Sequence, residues 1–335
     1  MILSPDSSLI RYTGRWNVSE TEAVSTANGS YVEFAFSGEC AVIEFGIDGC
    51  TVPFPRVYIS VDGGADIEVP LDKFIRISAG CGNSILAEDG DHTVRIVLKG
   101  SVELQNRWLH PLEAAVSVRS LEADAFLPLP EDKRPTIEFL GDSITEGISI
   151  DVERRFTHYG GSRDMVFWDD STAGYAWLTA KALGFRPIIM GYGCLGTTQG
   201  GAGNLPDACE AYPYYSDGCP MESPNADVIV INHGTNDRRA DRETFFCQYR
   251  RFLEIVRTRN PNAKMIALTP FCGALADEIR EIVEAFNRDT GDDVFYINTT
   301  GWIAPEPLHP TREGHKPVAR NLAEKIKEIM ENPER

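Results

Sequence analysis

Up to about residue 125 the apolar positions alternate with polar ones at a period of two, as in strands that bury one face. Val32, Phe34 and Phe36 straddle Glu33 and Ala35. Val57, Ile59 and Val61 form a second such row, Val94, Ile96 and Leu98 a third, and Val116 and Val118 a fourth. Turn-forming residues part them, at Asp62-Gly63-Gly64 and Glu88-Asp89-Gly90-Asp91. Short antiparallel strands with no helix between them predict a β-sandwich, or jelly roll, over residues 1–126. The stretch 127–135, Leu-Pro-Leu-Pro-Glu-Asp-Lys-Arg-Pro, reads as an extended linker. Over 136–335 the pattern changes. Ile137–Leu140, Pro187–Met190, Val228–Ile231, Met265–Leu268 and Val294–Ile297 are the short, wholly apolar runs of buried parallel strands. Helical periodicity fills the gaps near 173–183, 241–259 and 274–289, with a last helix near 312–331. Strands alternating with helices predict a doubly wound α/β fold, which binds ligands beyond the carboxyl ends of its strands.

Four pieces of candidate chemistry fall at those carboxyl ends. Gly141-Asp142-Ser143 follows the first strand, where a serine at a sharp strand-to-helix turn exposes its hydroxyl and its own N–H together. Ser143-x-x-Glu146 also spells a helix capping box, in which the hydroxyl would only satisfy backbone N–H groups. After the second strand comes Gly191-Tyr192-Gly193-Cys194-Leu195-Gly196, where a bare glycine N–H can face an oxyanion. A plain glycine-rich loop has the same spelling, and no P-loop Lys-Ser/Thr follows. Gly234-Thr235-Asn236-Asp237 follows the third strand, so Asn236 is either an oxyanion donor or turn chemistry. Leu308-His309-Pro310 precedes the last helix, and an imidazole suits a general base near neutrality. His315 competes for that role but falls within the helix, where packing is its expected use.

In kind and order these four sites resemble the blocks of the SGNH (GDSL-like) hydrolases, over roughly residues 135–330. The resemblance implies a flavodoxin-like α/β/α domain with Ser143 as nucleophile and His309 as general base. It also implies an oxyanion hole formed by the N–H groups of Ser143 and Gly193 and the side-chain amide of Asn236. The family usually carries Asp three residues before the histidine, where this chain has Glu306. Either Glu306 orients His309, or a Ser–His dyad works with a backbone carbonyl. The strand-rich front half, opening with Ile10-Arg11-Tyr12-Thr13-Gly14-Arg15-Trp16, makes the chain look like carbohydrate esterase family 2. Members of that family remove acetyl groups from sugars. Trp302, Trp168 and Tyr192 are candidate sugar platforms, whereas Trp177 fits a core helix face. The long 148–172 connection, with Arg154, Arg155, His158 and Trp168, is a candidate lid.

Composition trims the alternatives. Lys plus Arg number 32 and Asp plus Glu 50 among 335 residues, a net charge of −18 that repels nucleic acid and anionic membrane surfaces. No run approaches the ~20 apolar residues of a membrane span. No secretory leader is visible at Met1–Asp6, so a cytoplasmic location is expected. The eight cysteines form no C-x-x-C pair, which predicts free, buried thiols rather than a zinc site or a Cys209–Cys219 disulfide. No cofactor or metal is expected. The partner is an acetylated small molecule or oligosaccharide, and the subunit number is not expressed in the sequence. Rival readings are an esterase or thioesterase for another small acyl group, and a non-catalytic carbohydrate-binding protein, which the intact Ser143, Asn236 and His309 oppose. A metal-dependent phosphoesterase using His233, Asp237 and His309 would need more carboxylates around Asp142.

Overall fold

A computed structural model describes residues 1–78, 90–152, 157–304 and 307–331. The alternating front half forms one ten-stranded antiparallel sheet. Its strands are β1 (Ile2–Leu3), β2 (Ile10–Thr13), β3 (Asn17–Val18), β4 (Ala23–Ser25), β5 (Tyr31–Phe45), β6 (Arg56–Val61), β7 (Ile67–Pro70), β8 (Phe74–Ser78), β9 (Asp91–Gly100) and β10 (Val116–Leu127). The long β5 is its spine. Residues 31–37 pair with β9 and 31–34 with β2, while 40–44 pair with β8 and 35–45 with β10. The change of partners falls at Gly38, whose φ of 121° admits no other residue cheaply and whose Cα is covered by Asp124. Opposite it, β10 slips register between Ala123 and Ala125, the irregularity expected where a strand bends. Phe34, Phe36, Ile43, Phe45, Val57, Ile59, Val94 and Ile96 turn inward to one core. Each contributes ~1.5–3 kcal/mol by leaving water. Glu88 and Asp89 of the second sequence turn lie outside the described residues.

The second sheet is parallel, from β11 (Thr136–Gly141), β12 (Arg186–Gly191), β15 (Val228–Asn232), β16 (Lys264–Leu268) and β17 (Phe295–Ile297). A small hairpin of β13 (Tyr214–Ser216) and β14 (Cys219–Pro220) lies between β12 and β15 in the chain. The described α-helices are α1 (Ser143–Glu146), α2 (Met165–Trp168), α3 (Tyr175–Leu183), α4 (Ala208–Ala211), α5 (Arg242–Arg259), α6 (Ala276–Thr290) and α7 (Arg312–Glu331). Both faces of the sheet are covered, which explains why its strands read as apolar throughout. Ile137, Phe139, Val228 and Val230 face Tyr175 and Ala180 of α3 and Val318 and Leu322 of α7. Leu140, Ile229, Ile231 and Met265 face Phe245, Phe252 and Val256 of α5 and Ile282 and Phe286 of α6. Gly291 closes α6 in the left-handed conformation at φ 74°, as its place after the periodic run predicts.

Strand order is β12-β11-β15-β16-β17, so the chain moves to one side of β11 and then returns to the other. That reversal opens a crevice beyond the carboxyl end of β11, between β12 and β15. The register makes the three ends level: Gly141 stands opposite Gly191 on one side and Asn232 on the other. The antiparallel sheet docks on this unit through buried polar links. Arg15 lies 3.6 Å from Glu138, and Lys99 donates to the Asp169 carbonyl at 2.7 Å.

Candidate active site

The turn out of β11 is built so that a hydroxyl is left free. At Gly141 a Cβ would collide with Thr145 and the Asn232 carbonyl, so only glycine lets the chain turn this tightly. Asp142, not Ser143, caps α1: its Oδ1 accepts the Ile144 N–H at 3.0 Å. Gly147, left-handed at φ 89°, ends the helix after one turn. The capping-box reading of Ser143 therefore gives way. With the cap supplied by its neighbour, Ser143 Oγ instead lies 2.9 Å from His309 Nε2.

His309 comes from the loop ahead of α7, and that loop is pinned just beyond it. The Arg312 guanidinium bonds Asp151 through two nitrogens, at 3.0 and 2.6 Å, and reaches Asp170 at 2.8 Å. Such two-point charge-assisted bonds fix direction as well as distance. They tie the 148–172 connection to the segment carrying the histidine. Burial lowers the His309 pKa below its ordinary value, so the ring is neutral at pH 7 and able to take the Ser143 proton. His315, inside α7, is buried with Nδ1 accepting the Tyr175 N–H at 3.0 Å. It is a packing residue, as its position in the helix predicts.

The loop after β12 stands beside this pair. Gly193 N–H does not face the crevice but donates to Glu146 Oε2 at 2.7 Å. The other Glu146 oxygen accepts from Asn28 Nδ2 at 2.8 Å and pairs with Arg107, and both members of that ion pair are fully buried. Burial raises the Glu146 pKa and the guanidinium opposes the rise. After β15, Asn236 points its Nδ2 at the Leu195 carbonyl, 3.0 Å away, leaving the second hydrogen of the amide for another acceptor. Asp237 is buried, with Oδ1 taken by Thr197 and Thr198.

A strand-turn serine bonded to a neutral histidine, with an asparagine on the loop after the neighbouring strand, is an arrangement suited to acyl transfer. Residues 139–316 match the GDSL-like Lipase/Acylhydrolase family. The chain belongs to that family. It is 26% identical, over 72% of its own length and 68% of the relative's, to an acetylxylan esterase / glucomannan deacetylase of Cellvibrio japonicus. Its fold matches that of a family two carbohydrate esterase from the same organism with a TM-score of 0.79, at 20% identity over 99% of this chain and 98% of that one. An acetyl xylan esterase from Butyrivibrio proteoclasticus superposes with a TM-score of 0.75, at 20% identity over 98% of each chain. A family two carbohydrate esterase of Clostridium thermocellum, solved with cellohexaose, gives 0.74 at 22% identity, over 96% of this chain and 99% of that one.

As a GDSL-like hydrolase the chain departs from its sequence reading in several places. The Gly193 amide, expected in the oxyanion hole, is taken by Glu146, so in this structure its bond holds the loop. Tyr192, a candidate sugar platform, is only 3% exposed. Its hydroxyl lies 3.0 Å from Thr26 Oγ1, and its ring is covered by Arg107, so it offers no face to a ligand. Trp302 and Trp168 are half-buried on the two connections that lead to the Ser–His pair. Trp302 packs against the core beneath α7, as does Trp177 of α3. Glu306, the candidate orienting acid, lies outside the described residues, as do Arg154, Arg155 and Cys81. The seven described cysteines are free, Cys209 and Cys219 included, but only Cys209 is buried, while Cys194 and Cys247 are exposed. Sequence reasoning missed Arg107, Asn28, Arg312 and Asp170. Glu146 had a signal, but as a capping partner rather than a buried charge.

Proposed function

We propose that this chain is a serine esterase that removes acetyl groups from a carbohydrate. The observation that carries the mechanism is the 2.9 Å contact between Ser143 Oγ and His309 Nε2 at the crevice beyond β11. Ser143 Oγ bonds to the acetyl carbonyl carbon as its proton passes to His309, giving a tetrahedral oxyanion. The Ser143 N–H and the free hydrogen of Asn236 Nδ2 stabilise that charge. Collapse expels the sugar hydroxyl, which leaves with the proton held by His309, and Ser143 remains acetylated. His309 then takes a proton from water, the hydroxide attacks, and acetate departs as Ser143 is reprotonated. The acetylxylan and glucomannan named for the Cellvibrio relative support an acetylated plant glycan as substrate. Trp302 and Trp168, on the connections bordering the site, are the aromatic surfaces proposed for the sugar rings.

We read the antiparallel sheet as a jelly-roll domain over 1–126, joined through 127–135 to the hydrolase domain at 136–335. The partner exchange along β5 supports that reading. The deciding experiment is acetate release from acetylated xylo-oligosaccharides, set against butyryl esters of the same sugars. Release that disappears in Ser143→Ala and falls with acyl length is the expected result. Turnover that survives Ser143→Ala overturns the mechanism. Faster turnover of the longer acyl group overturns the acetyl preference.

A further inference from the structure

Glu103 sits in the loop after β9, on the antiparallel sheet's side of the molecule, yet its carboxyl group reaches the loop that follows β12. A Cβ on Gly193 would collide with Glu103 Oε2, so the carboxylate lies against the backbone of the loop after β12. Of the neighbouring donors, Arg107 Nε makes no hydrogen bond and the others are directed elsewhere. Gly193 N–H goes to Glu146, Arg107 Nη1 to Glu146, and Arg107 Nη2 to the Glu103 backbone carbonyl at 3.4 Å. Among the described residues no group donates to the Glu103 side chain, which is half-buried rather than free in water. Its charged surroundings are unfavourable. Glu146 nearby is an acid, and Arg107, which acts on both carboxylates, is paired with Glu146.

We propose that Glu103 is a substrate-recognition residue, its carboxylate accepting hydrogen bonds from hydroxyl groups of the acylated sugar. This rests on the carbohydrate-ester reading and gives the front half of the chain a part in it. A carboxylate with two free oxygens suits neighbouring sugar hydroxyls, and such charge-assisted bonds are the strong ones. A polar group held half out of water with no partner is weakly satisfied until a ligand arrives, which is how a site gains discrimination.

The cost of holding the group there is consistent with a ligand role. Burial, then the Glu146 charge, push the Glu103 pKa up to about 7, with Arg107 opposing. Since the folded value exceeds that of an unfolded glutamate, about 4.3, stability is lost as pH rises from about 4.3 to about 7.

The test uses the whole chain at pH 8, with kcat and KM measured on a monoacetylated xylo-oligosaccharide and on 4-nitrophenyl acetate. The aryl ester has no sugar hydroxyl. In Glu103→Ala the ratio of the two kcat/KM values, sugar over aryl, falls about 10- to 100-fold, the worth of hydrogen bonds to a charged group. The loss is mainly in KM for the sugar. Glu103→Gln recovers part of it, and neither variant lowers the unfolding midpoint at pH 8. A ratio unchanged within about twofold overturns the assignment, because a bond to sugar must move it by more. So does an equal loss on both esters with a lowered midpoint, which marks a structural prop. A wild type that cleaves the aryl ester but no acetylated saccharide overturns the carbohydrate reading and the role of Glu103 together. An unchanged ratio in a sugar-active enzyme overturns only the latter.

Discussion

Replacing Arg107 with methionine removes the positive half of a buried pair and leaves its volume roughly filled. Arg107 and Glu146 are both fully buried. Without the guanidinium, Glu146 keeps only the Asn28 amide and the Gly193 N–H. Breaking such a pair from one side costs about 3–5 kcal/mol, because the remaining charge has lost its compensation. The cost depends on pH with a definite sign. Burial already raises the Glu146 pKa against the pull of Arg107, so removing Arg107 raises it further. An acid whose folded pKa lies above its unfolded value binds protons more readily when folded. Relative to wild type, the variant therefore regains stability as pH falls from its own raised Glu146 value toward the wild-type one, by at most about 1.4 kcal/mol per pH unit. Urea unfolding at pH 8 and pH 5 reads this directly. Arg107→Met should lose several kcal/mol at pH 8 and much less at pH 5. The double variant with Glu146→Gln should be more stable at pH 8 than Arg107→Met alone. A loss below about 1 kcal/mol, or the same loss at both pH values, would refute the claim that Arg107 compensates a buried Glu146 charge.

Four further outcomes follow from the site. The acid limb of kcat/KM should fall below pH 6.5, the ordinary histidine value, because burial depresses His309 and its neutral form is the active one. A limb above that value would contradict the direction. Asn236→Ala should lower kcat by ~10² or more with a small change in KM, and undiminished kcat removes Asn236 from the oxyanion hole. Tyr192→Phe should cost about 0.5–1.5 kcal/mol of stability through its bond to Thr26, while KM for the sugar stays put; a raised KM with unchanged stability would restore it as a platform. Arg312→Ala should lower kcat on sugar and aryl esters alike, since it frees the segment bearing His309. A loss confined to KM for the sugar would place Arg312 on the substrate.

The parts of this molecule legible in the sequence are those whose physics is local or periodic. Buried parallel strands must be apolar on both faces, so Val228–Ile231 and Met265–Leu268 announce themselves without any knowledge of their neighbours. Gly141 and Ser143 are legible because a strand-to-helix turn imposes requirements within a few residues. His309 is a candidate through its imidazole, its place before the last helix and the order of the four blocks, whereas its contact with Ser143 is a fact of the fold. Tyr192 shows the limit of such reading. An aromatic beside a glycine-rich loop can face a ligand or the interior, and Thr26 and Arg107, both far away in the chain, decide the matter.

The same limit explains Gly193. From the sequence, a glycine beyond a strand end has a free N–H, because nothing nearby in the chain competes for it. In the fold, Glu146 competes successfully, since a buried carboxylate needs donors more than the crevice does. Arg107 compensates the buried Glu146 carboxylate, and Arg107 belongs to the antiparallel half. The loop beside Ser143 is thus held by a charge supplied from outside the parallel sheet. The two halves are therefore mechanically one site: α1 carries Ser143 at its start and Glu146 at its end, one helical turn apart. Whatever moves Arg107 loads the acid at one end of that turn while the nucleophile sits at the other.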